Sequence, residues 1–179
     1  MTERLDGLRE KASVKYKTER LIIREIREDD MSHLIEMNNN PNVMKYISTS
    51  GFNPSSAESE LDSIHRQKKY YKKFQGFGLW MIQTIDDTVG WISLKYNSDL
   101  GSYELGYRLK EKDWSKGYAT EACMGLLKYI DKLDVSEVQA VAVLDNESSI
   151  GVMKKIGMSY YKDSHIYNED VVVYKYVVL

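Results

Sequence analysis

The stretch from Asp113 to Ala122, DWSKGYATEA, sets one glycine among polar and small residues just before an amphipathic run. A helix start carries unpaired N–H groups and the positive end of the helix dipole. Such a start binds phosphate when side chains do not block the approach. Gly117 lets a ligand come close and lets the chain turn sharply. Ala119 and Thr120 keep the first turn slim, and Lys116 adds a positive charge. On these residues alone the segment is either a phosphate cradle or an ordinary strand-to-helix turn. Other nucleotide and hydrolase patterns are absent. There is no G-x-x-x-x-G-K-[ST], the triplet Gly76-Phe77-Gly78 precedes a strand rather than a helix, and no G-x-S-x-G elbow occurs.

The remaining reactive side chains have plainer readings. His33, His65 and His165 are scattered without ligand spacing, which suits surface or packing positions. Cys123 has no apparent histidine partner and reads as a small buried apolar group. A single cysteine builds neither a disulfide nor a cysteine zinc site within one chain, so a reducing, cytoplasmic setting is expected. Residues 65–74, HRQKKYYKKF, are basic and aromatic. At helical spacing Tyr71 turns inward and the lysines face solvent, a better account than RNA contact. The 179 residues carry a net charge of -2, with 42% hydrophobic and 29% charged residues, the profile of one soluble globular domain. Bulk charge gives nucleic acid no support. No apolar run is long enough to span a membrane, and the charged N-terminus has no apolar signal core.

Periodicity gives the elements that must position the glycine turn. Strands are expected at 20–26, 78–85, 88–96, 102–110, 137–144 and 170–178, the second and third joined by a tight turn. A first helix is expected from a cap at Asp29 or Asp30 through Met31, Leu34 and Ile35, with Pro41 as its punctuation and Met31, Met37 and Met44 packed around it. A second starts at Ser55 or Ser56, with Leu61, Ile64, Lys68 and Tyr71 on one face. A third follows Gly117, with Ala122, Leu126, Tyr129 and Leu133 as its apolar stripe. A fourth runs from Asn146 through Ile150 and Met153 to a left-handed stop at Gly157. Leu5 and Leu8 fit one face of a short helix, but residues 1–16 read better as a frayed extension. The order is that of one mixed α/β domain on a central sheet, with no repeat and no linker.

On residues 103–122, YELGYRLKEKDWSKGYATEA, the chain resembles motif A of the GNAT superfamily of acetyl-CoA-dependent N-acetyltransferases, whose pattern [QR]-x-x-G-x-[GA] falls on Trp114 to Ala119. Trp114 departs at the first position in a way common in the branch of ribosomal-protein N-terminal acetyltransferases (RimJ/RimL-like). Two further stretches are similar to that branch, TERLIIREIREDD at 18–30 and DNESSIGVMKKIGM at 145–158. The likeness runs from about Lys17 to Val178, so a domain at 17–179 follows an extension at 1–16. It implies a single GNAT-like domain of the α/β (mixed α+β) class. Its twisted mixed sheet is flanked by helices, and the central strands, 102–110 and 137–144, splay apart into a cleft. It implies acetyl-CoA as cosubstrate, with the pantetheine arm on main-chain groups near Tyr107 and Leu109. The pyrophosphate would take the amides of Ser115, Lys116, Gly117, Tyr118, Ala119 and Thr120, and Asn146 would reach the pantetheine or nearby backbone.

The implied reaction is direct attack of a primary amine on the thioester, with the oxyanion held by a backbone N–H near Leu109. A protein α-amine, with a pKa of about 7.7–8.0, needs little help to be neutral, whereas a lysine-like amine near about 10.4 needs a base. Glu104 is the candidate, acting through a water or binding the amine; otherwise it is a solvated strand residue. Many members of the superfamily carry a tyrosine acid seven residues beyond the asparagine, a position held here by Met153. Ser149 stands where the Rim-type branch has a serine proposed to donate to the leaving thiolate; otherwise it caps its helix. The implied acceptor is a protein N-terminal amine or a small amine such as a polyamine, amino sugar or amino acid. It would be recognised by the variable segments 38–77 and 160–170. A coenzyme A-binding module without turnover is the alternative. A homodimer through Trp91 or Tyr96 is a further implication, and neither membrane, nucleic acid nor metal is expected.

Overall fold

The computed structural model describes residues 13–47 and 54–178. Among these residues lie β1 (Val14–Lys17), β2 (Ile22–Glu25), α1 (Met31–Asn38), α2 (Pro41–Met44), α3 (Ala57–Lys73), β3 (Gly78–Gln83) and β4 (Thr88–Asn97). They are followed by β5 (Ser102–Leu109), α4 (Tyr118–Ile130), β6 (Glu137–Val143), α5 (Glu147–Lys155), β7 (Ser159–Ile166) and β8 (Glu169–Val177). The strands form one sheet in the order β1-β2-β3-β4-β5-β6-β8-β7. Neighbours are antiparallel except β5 and β6, which run parallel. No helix among the described residues is long and apolar enough to cross a membrane.

Alternation sorts the sheet into two faces. Trp80, Ile82, Ile92, Leu94, Leu105 and Leu109 bury against α4, and Met153 of α5 joins them. Met81, with Leu79 and Trp91 partly covered, packs on the opposite side with Leu34 and Met37 of α1 and Ile64 of α3. The inward stripe of α4 runs through Ala122, Leu126 and Ile130, with Cys123 and Leu127 beside it. It is rotated from the expected one: Tyr129 is half-buried and Leu133 lies beyond the helix end. In α3 the buried residues are Glu60, Ile64 and Gln67, while Leu61, Lys68 and Tyr71 are half-covered. Ser56 is its cap, accepting the Ser59 N–H at 3.1 Å.

Two strands carry no alternating signal. β1 begins at Val14, inside the stretch read as an extension. The Tyr16 hydroxyl pins it by donating to the Ala122 carbonyl at 2.9 Å, and its ring stacks on Tyr129 at 5.7 Å. Leu5 and Leu8 lie outside the described residues. β7 is exposed along nearly its whole length, so hydrophobic patterning cannot reveal it. It returns to β8 through Tyr167 and Asn168, whose φ values of 59° and 61° are those a type I′ hairpin requires. Both edge strands carry a register shift, between Val14 and Tyr16 and between Tyr160 and Lys162.

The expected cap at Asp30 takes a different form. Asp30 occupies the N-cap of α1 without a side-chain cap bond. Its carboxylate instead receives Arg24 Nη1 and Nη2, each at 2.7 Å, and the Arg27 N–H at 2.8 Å. Arg24 and Asp30 are 4% and 1% exposed. Removing one partner therefore strands the other charge without water. Arg24→Met is expected to cost about 3–5 kcal/mol, measured as a fall in the urea midpoint.

Lys110, just past β5, has a side chain only 2% exposed, paired with Glu36 at 2.8 Å and Asp87 at 3.6 Å. Its Nζ also donates to His33 Nδ1 at 2.9 Å. Burial, and then the Lys110 charge, hold the His33 imidazole below its ordinary value of 6.5. The folded state thus resists a proton that the unfolded chain accepts near pH 6.5. This contribution to stability is full above that pH and is lost as pH falls through it. A decline in thermal midpoint from roughly pH 7 to pH 5.5 is expected. His33→Gln, whose amide oxygen accepts from Lys110 without titrating, should flatten that decline.

Candidate functional site

β5 and β6 pair through two residue pairs, Tyr103 with Val138 and Glu104 with Gln139. Beyond Glu104, β5 continues to Leu109 along β4, while β6 is held to β8 through seven pairs. The parallel strands part, and a wedge about 16 Å long opens at a rise of about 3.3 Å per residue. Lys110 donates its N–H to the Val89 carbonyl at 2.9 Å. The alternation of an antiparallel ladder then turns the main-chain groups of Tyr107 and Leu109 away from β4 and into the wedge. The Leu109 carbonyl accepts the Trp114 indole N–H at 3.1 Å, which leaves the Leu109 N–H facing the opening.

At the end of β5 the chain passes through a short 3₁₀ turn, Glu111–Asp113, into the glycine segment. Ser115 and Gly117 both take left-handed φ, 59° and 81°. Gly117 is the N-cap of α4, and no side chain caps that helix. The first-turn amides of Tyr118, Ala119 and Thr120 are therefore not claimed by a cap. A Cβ at Gly117 would lie 3.3 Å from Arg20 Nη2. Arg20 belongs to a latch between the β1–β2 link and α4. Glu121 accepts from Thr18 Oγ1 at 2.5 Å, from the Arg20 N–H at 2.8 Å and from Arg20 Nε at 2.6 Å. Arg20 Nη1 reaches the Lys116 carbonyl at 3.0 Å, and the guanidinium lies 4.9 Å from the Tyr118 ring. Lys116, expected to add positive charge, is paired with Asp113 at 2.8 Å; Arg20 is a second cation at the turn. An open groove of about 1030 Å³ continues from Gly117 and Thr120 along α4, with Lys128, Lys132 and Lys155 in its lining.

Tyr107 and Ser149 meet across the gap between β5 and α5, the phenol donating to Ser149 Oγ at 3.3 Å. Burial pushes the Tyr107 phenol up to about 12. Ser149 does not cap its helix. Asn146 does, its Oδ1 accepting the Ser149 N–H at 3.2 Å, so only its amide N–H groups remain for the wedge. Met153 is 2% exposed within the core, and Cys123 is fully buried, which pushes its thiol far up.

Glu104 lies on the opposite face of β5 from Tyr107. Its Oε2 accepts from the Tyr167 hydroxyl at 2.6 Å and from Asn97 Nδ2 at 2.8 Å. Burial, and then the bond to Glu104, push the Tyr167 phenol up. Glu104 is thus anchored rather than freely solvated. The expected residues fall into three groups: the turn at Ser115–Thr120 past the end of β5, the Tyr107–Ser149–Asn146 set joined by hydrogen bonds, and Glu104 on the other face of β5. Sequence reading missed Tyr167, Asn97, Arg20 and the Tyr107 phenol. Tyr167-Asn168 is a hairpin signal, but only between recognisable strands. His65 and His165 sit at the surface beside Glu28 and Asp170, at 3.3 Å and 2.9 Å. Trp91 is half-buried under Arg108, and Tyr96 is 59% exposed.

The acetyltransferase (GNAT) domain model matches residues 20–159. YnaD, an uncharacterized N-acetyltransferase of Bacillus subtilis (strain 168), is 31% identical over 146 residues, covering 79% of this chain and 80% of that protein. The crystal structure of a GNAT-family acetyltransferase from Bacillus anthracis matches with a TM-score of 0.73 at 29% identity, over 90% of this chain and 96% of that one. The fold alone is shared with RimL, a ribosomal L7/L12 α-N-protein acetyltransferase solved with coenzyme A, at a TM-score of 0.79 and 14% identity over 93% of this chain and 98% of that one. The matched region spans the wedge, the glycine turn and the helix that carries Ser149: the chain belongs to the GNAT family of acetyltransferases and is an acyl-transferring enzyme.

Proposed function

We propose that the protein transfers an acetyl group from acetyl-CoA to a primary amine. The observation that carries this reading is the parting of β5 from β6 beside a helix start that no side chain caps. The amides from Ser115 to Thr120, with Arg20 beside them, suit the pyrophosphate. The N–H of Leu109 and the main chain of Tyr107 suit the pantetheine and thioester, within reach of the Asn146 amide. The lysines of the adjoining groove suit the anionic nucleotide end.

Bound acetyl-CoA supplies a thioester carbonyl and a thiol leaving group. Glu104, oriented through Oε2, offers Oε1 to the acceptor amine or takes its proton through a water. The Leu109 N–H stabilises the oxyanion. As the carbon–sulfur bond breaks, Ser149 gives its proton to the thiolate and regains one along the hydrogen bond from the Tyr107 phenol, which is restored from water as Glu104 passes the amine proton to water. Trp114 and Ser149 support the RimJ/RimL-like branch and, with it, a protein N-terminal α-amine. An amino acid acceptor is the second reading, which Arg108 favours. Glu36, Lys110 and Glu111 give the cavity of about 340 Å³ beyond β5 mixed charge, so a polyamine is not singled out. A homodimer with Tyr96 at its contact, and a reducing cytoplasmic setting, complete the proposal.

Gly117→Asp tests the cradle. Aspartate tolerates a left-handed backbone better than most residues, so its effect falls on the ligand rather than the fold. Acetyl-CoA affinity by calorimetry is expected to fall roughly 100-fold or more, by charge and obstruction together; a folded variant that binds normally would show the cradle to be elsewhere. Tyr107→Phe and Ser149→Ala are expected to lower kcat by roughly 10- to 100-fold with little change in KM for acetyl-CoA. Because the Tyr107 phenol is pushed up to about 12, it keeps its proton at alkaline pH. The kcat profile should therefore show no falling limb between about pH 8 and pH 10.

A further inference from the structure

Arg108 takes no proton-transfer or oxyanion role in the reaction above. It stands on the face of β5 that carries Glu104, in a row of cross-strand pairs with β4: Trp91 with Arg108, Ser93 with Gly106, Lys95 with Glu104. At the middle pair the Ser93 hydroxyl lies over Gly106. Gly106 has no side chain, and a Cβ there would come within 3.0 Å of Ser93 Oγ. Glu104 and Arg108 stand at the two ends of this row, about 13 Å apart along the strand.

Arg108 is a cation short of partners. Its guanidinium lies 5.1 Å from the Trp91 ring, and Nη1 donates to Asn38 Oδ1. Among the described residues Nε is buried with no hydrogen-bond partner. Burial is strong enough to bring the guanidinium down to about 10 against the opposing pull of Glu60. The Glu60 carboxylate is already engaged, accepting from Asn38 Nδ2 at 2.6 Å and from the Ser55 hydroxyl. A desolvated guanidinium with an orphaned N–H is costly unless something completes it. With Nη1 committed to Asn38, the free edge is Nε with Nη2, the edge that a planar carboxylate meets with two parallel bonds.

We infer that the acceptor is an amino acid whose free carboxylate seats on the Nε–Nη2 edge of Arg108 while its amine faces the wedge. This rests on the acetyl-transfer reading and takes its second acceptor, the amino acid, in place of the protein N-terminus. A carboxylate fits better than a phosphate because the Glu60 carboxylate already acts on the guanidinium, and a dianion would meet more repulsion from it.

The test compares acids with their amides. Coenzyme A release from acetyl-CoA is followed with glycine, β-alanine, 4-aminobutyrate and the L-α-amino acids, each beside its carboxamide, and with spermidine and glucosamine 6-phosphate. Acids are expected to exceed amides by roughly 10- to 100-fold in kcat/KM. Arg108→Gln should bring that ratio close to one, and Arg108→Lys, which keeps the charge without the fork, should restore it in part. Amides, spermidine or the sugar phosphate turned over as well as the acids would overturn the inference, as would an unchanged ratio in Arg108→Gln. If that variant does not fold, the wild-type ratio decides alone. Should no amine be acetylated, acetyl-CoA calorimetry tests the proposed function separately. Tryptophan emission titrated with N-acetylglycine against N-acetylglycinamide, with Trp91→Phe as control, then tests Arg108. A saturable response to the acid alone supports the inference, and a response to neither or to both overturns it.

Discussion

The functional architecture depends on how many ladder bonds β5 is allowed to make. On one side it is zipped to β4 from end to end; on the other it meets β6 for two residue pairs and then stands alone. Unpaired main-chain groups are expensive inside a protein, so an unzipped central strand needs support from elsewhere. Here α4 closes the sheet from one face, α1 and α3 from the other, and β6 is satisfied by β8. The latch from Thr18 and Arg20 to Glu121 then ties the start of α4 to the far side of the sheet, so the glycine turn and the open strand edge keep a fixed relation.

In the proposed reaction the two faces of β5 would divide the proton chemistry. Side chains alternate along the strand, so Tyr107 points toward Ser149 on one face while Glu104 points toward Tyr167 and Asn97 on the other. In an unbroken sheet these groups would be separated by a continuous layer of backbone. Where the strands part, a molecule passing through the gap meets both. On the proposed function an acceptor would be received from one side of the sheet and a thiol released toward the other, with the backbone N–H of Leu109 between them.

Local signals in the sequence were legible, and long-range ones were not. Gly117, the Asn146 cap and the Gly157 stop each act within a few residues, so composition and spacing reveal them. The strands with alternating apolar residues were readable for the same reason. β1 and β7 lie at the edges, where exposure erases the alternation. Contacts between Arg20 and Glu121, Glu104 and Tyr167, or Tyr107 and Ser149 join residues 101, 63 and 42 positions apart. No spacing rule anticipates them, because only the folded sheet brings them together. The misread stripe of α4 is a milder case: Tyr129 fits the helical period, but Ile130 and Leu127 fill the core more completely.

Both margins of the sheet are interrupted, by the irregular steps at Val14/Tyr16 and Tyr160/Lys162. A broken margin presents no long, uniform row of donors and acceptors to a passing chain. At the β7 rim the Lys175 ammonium also rests over Tyr161 at 4.1 Å, keeping charge where a second ribbon would have to dock. Growth of the sheet into fibrils is discouraged even at high protein concentration, and copies that associate have to meet through helices or through the sheet's flat sides.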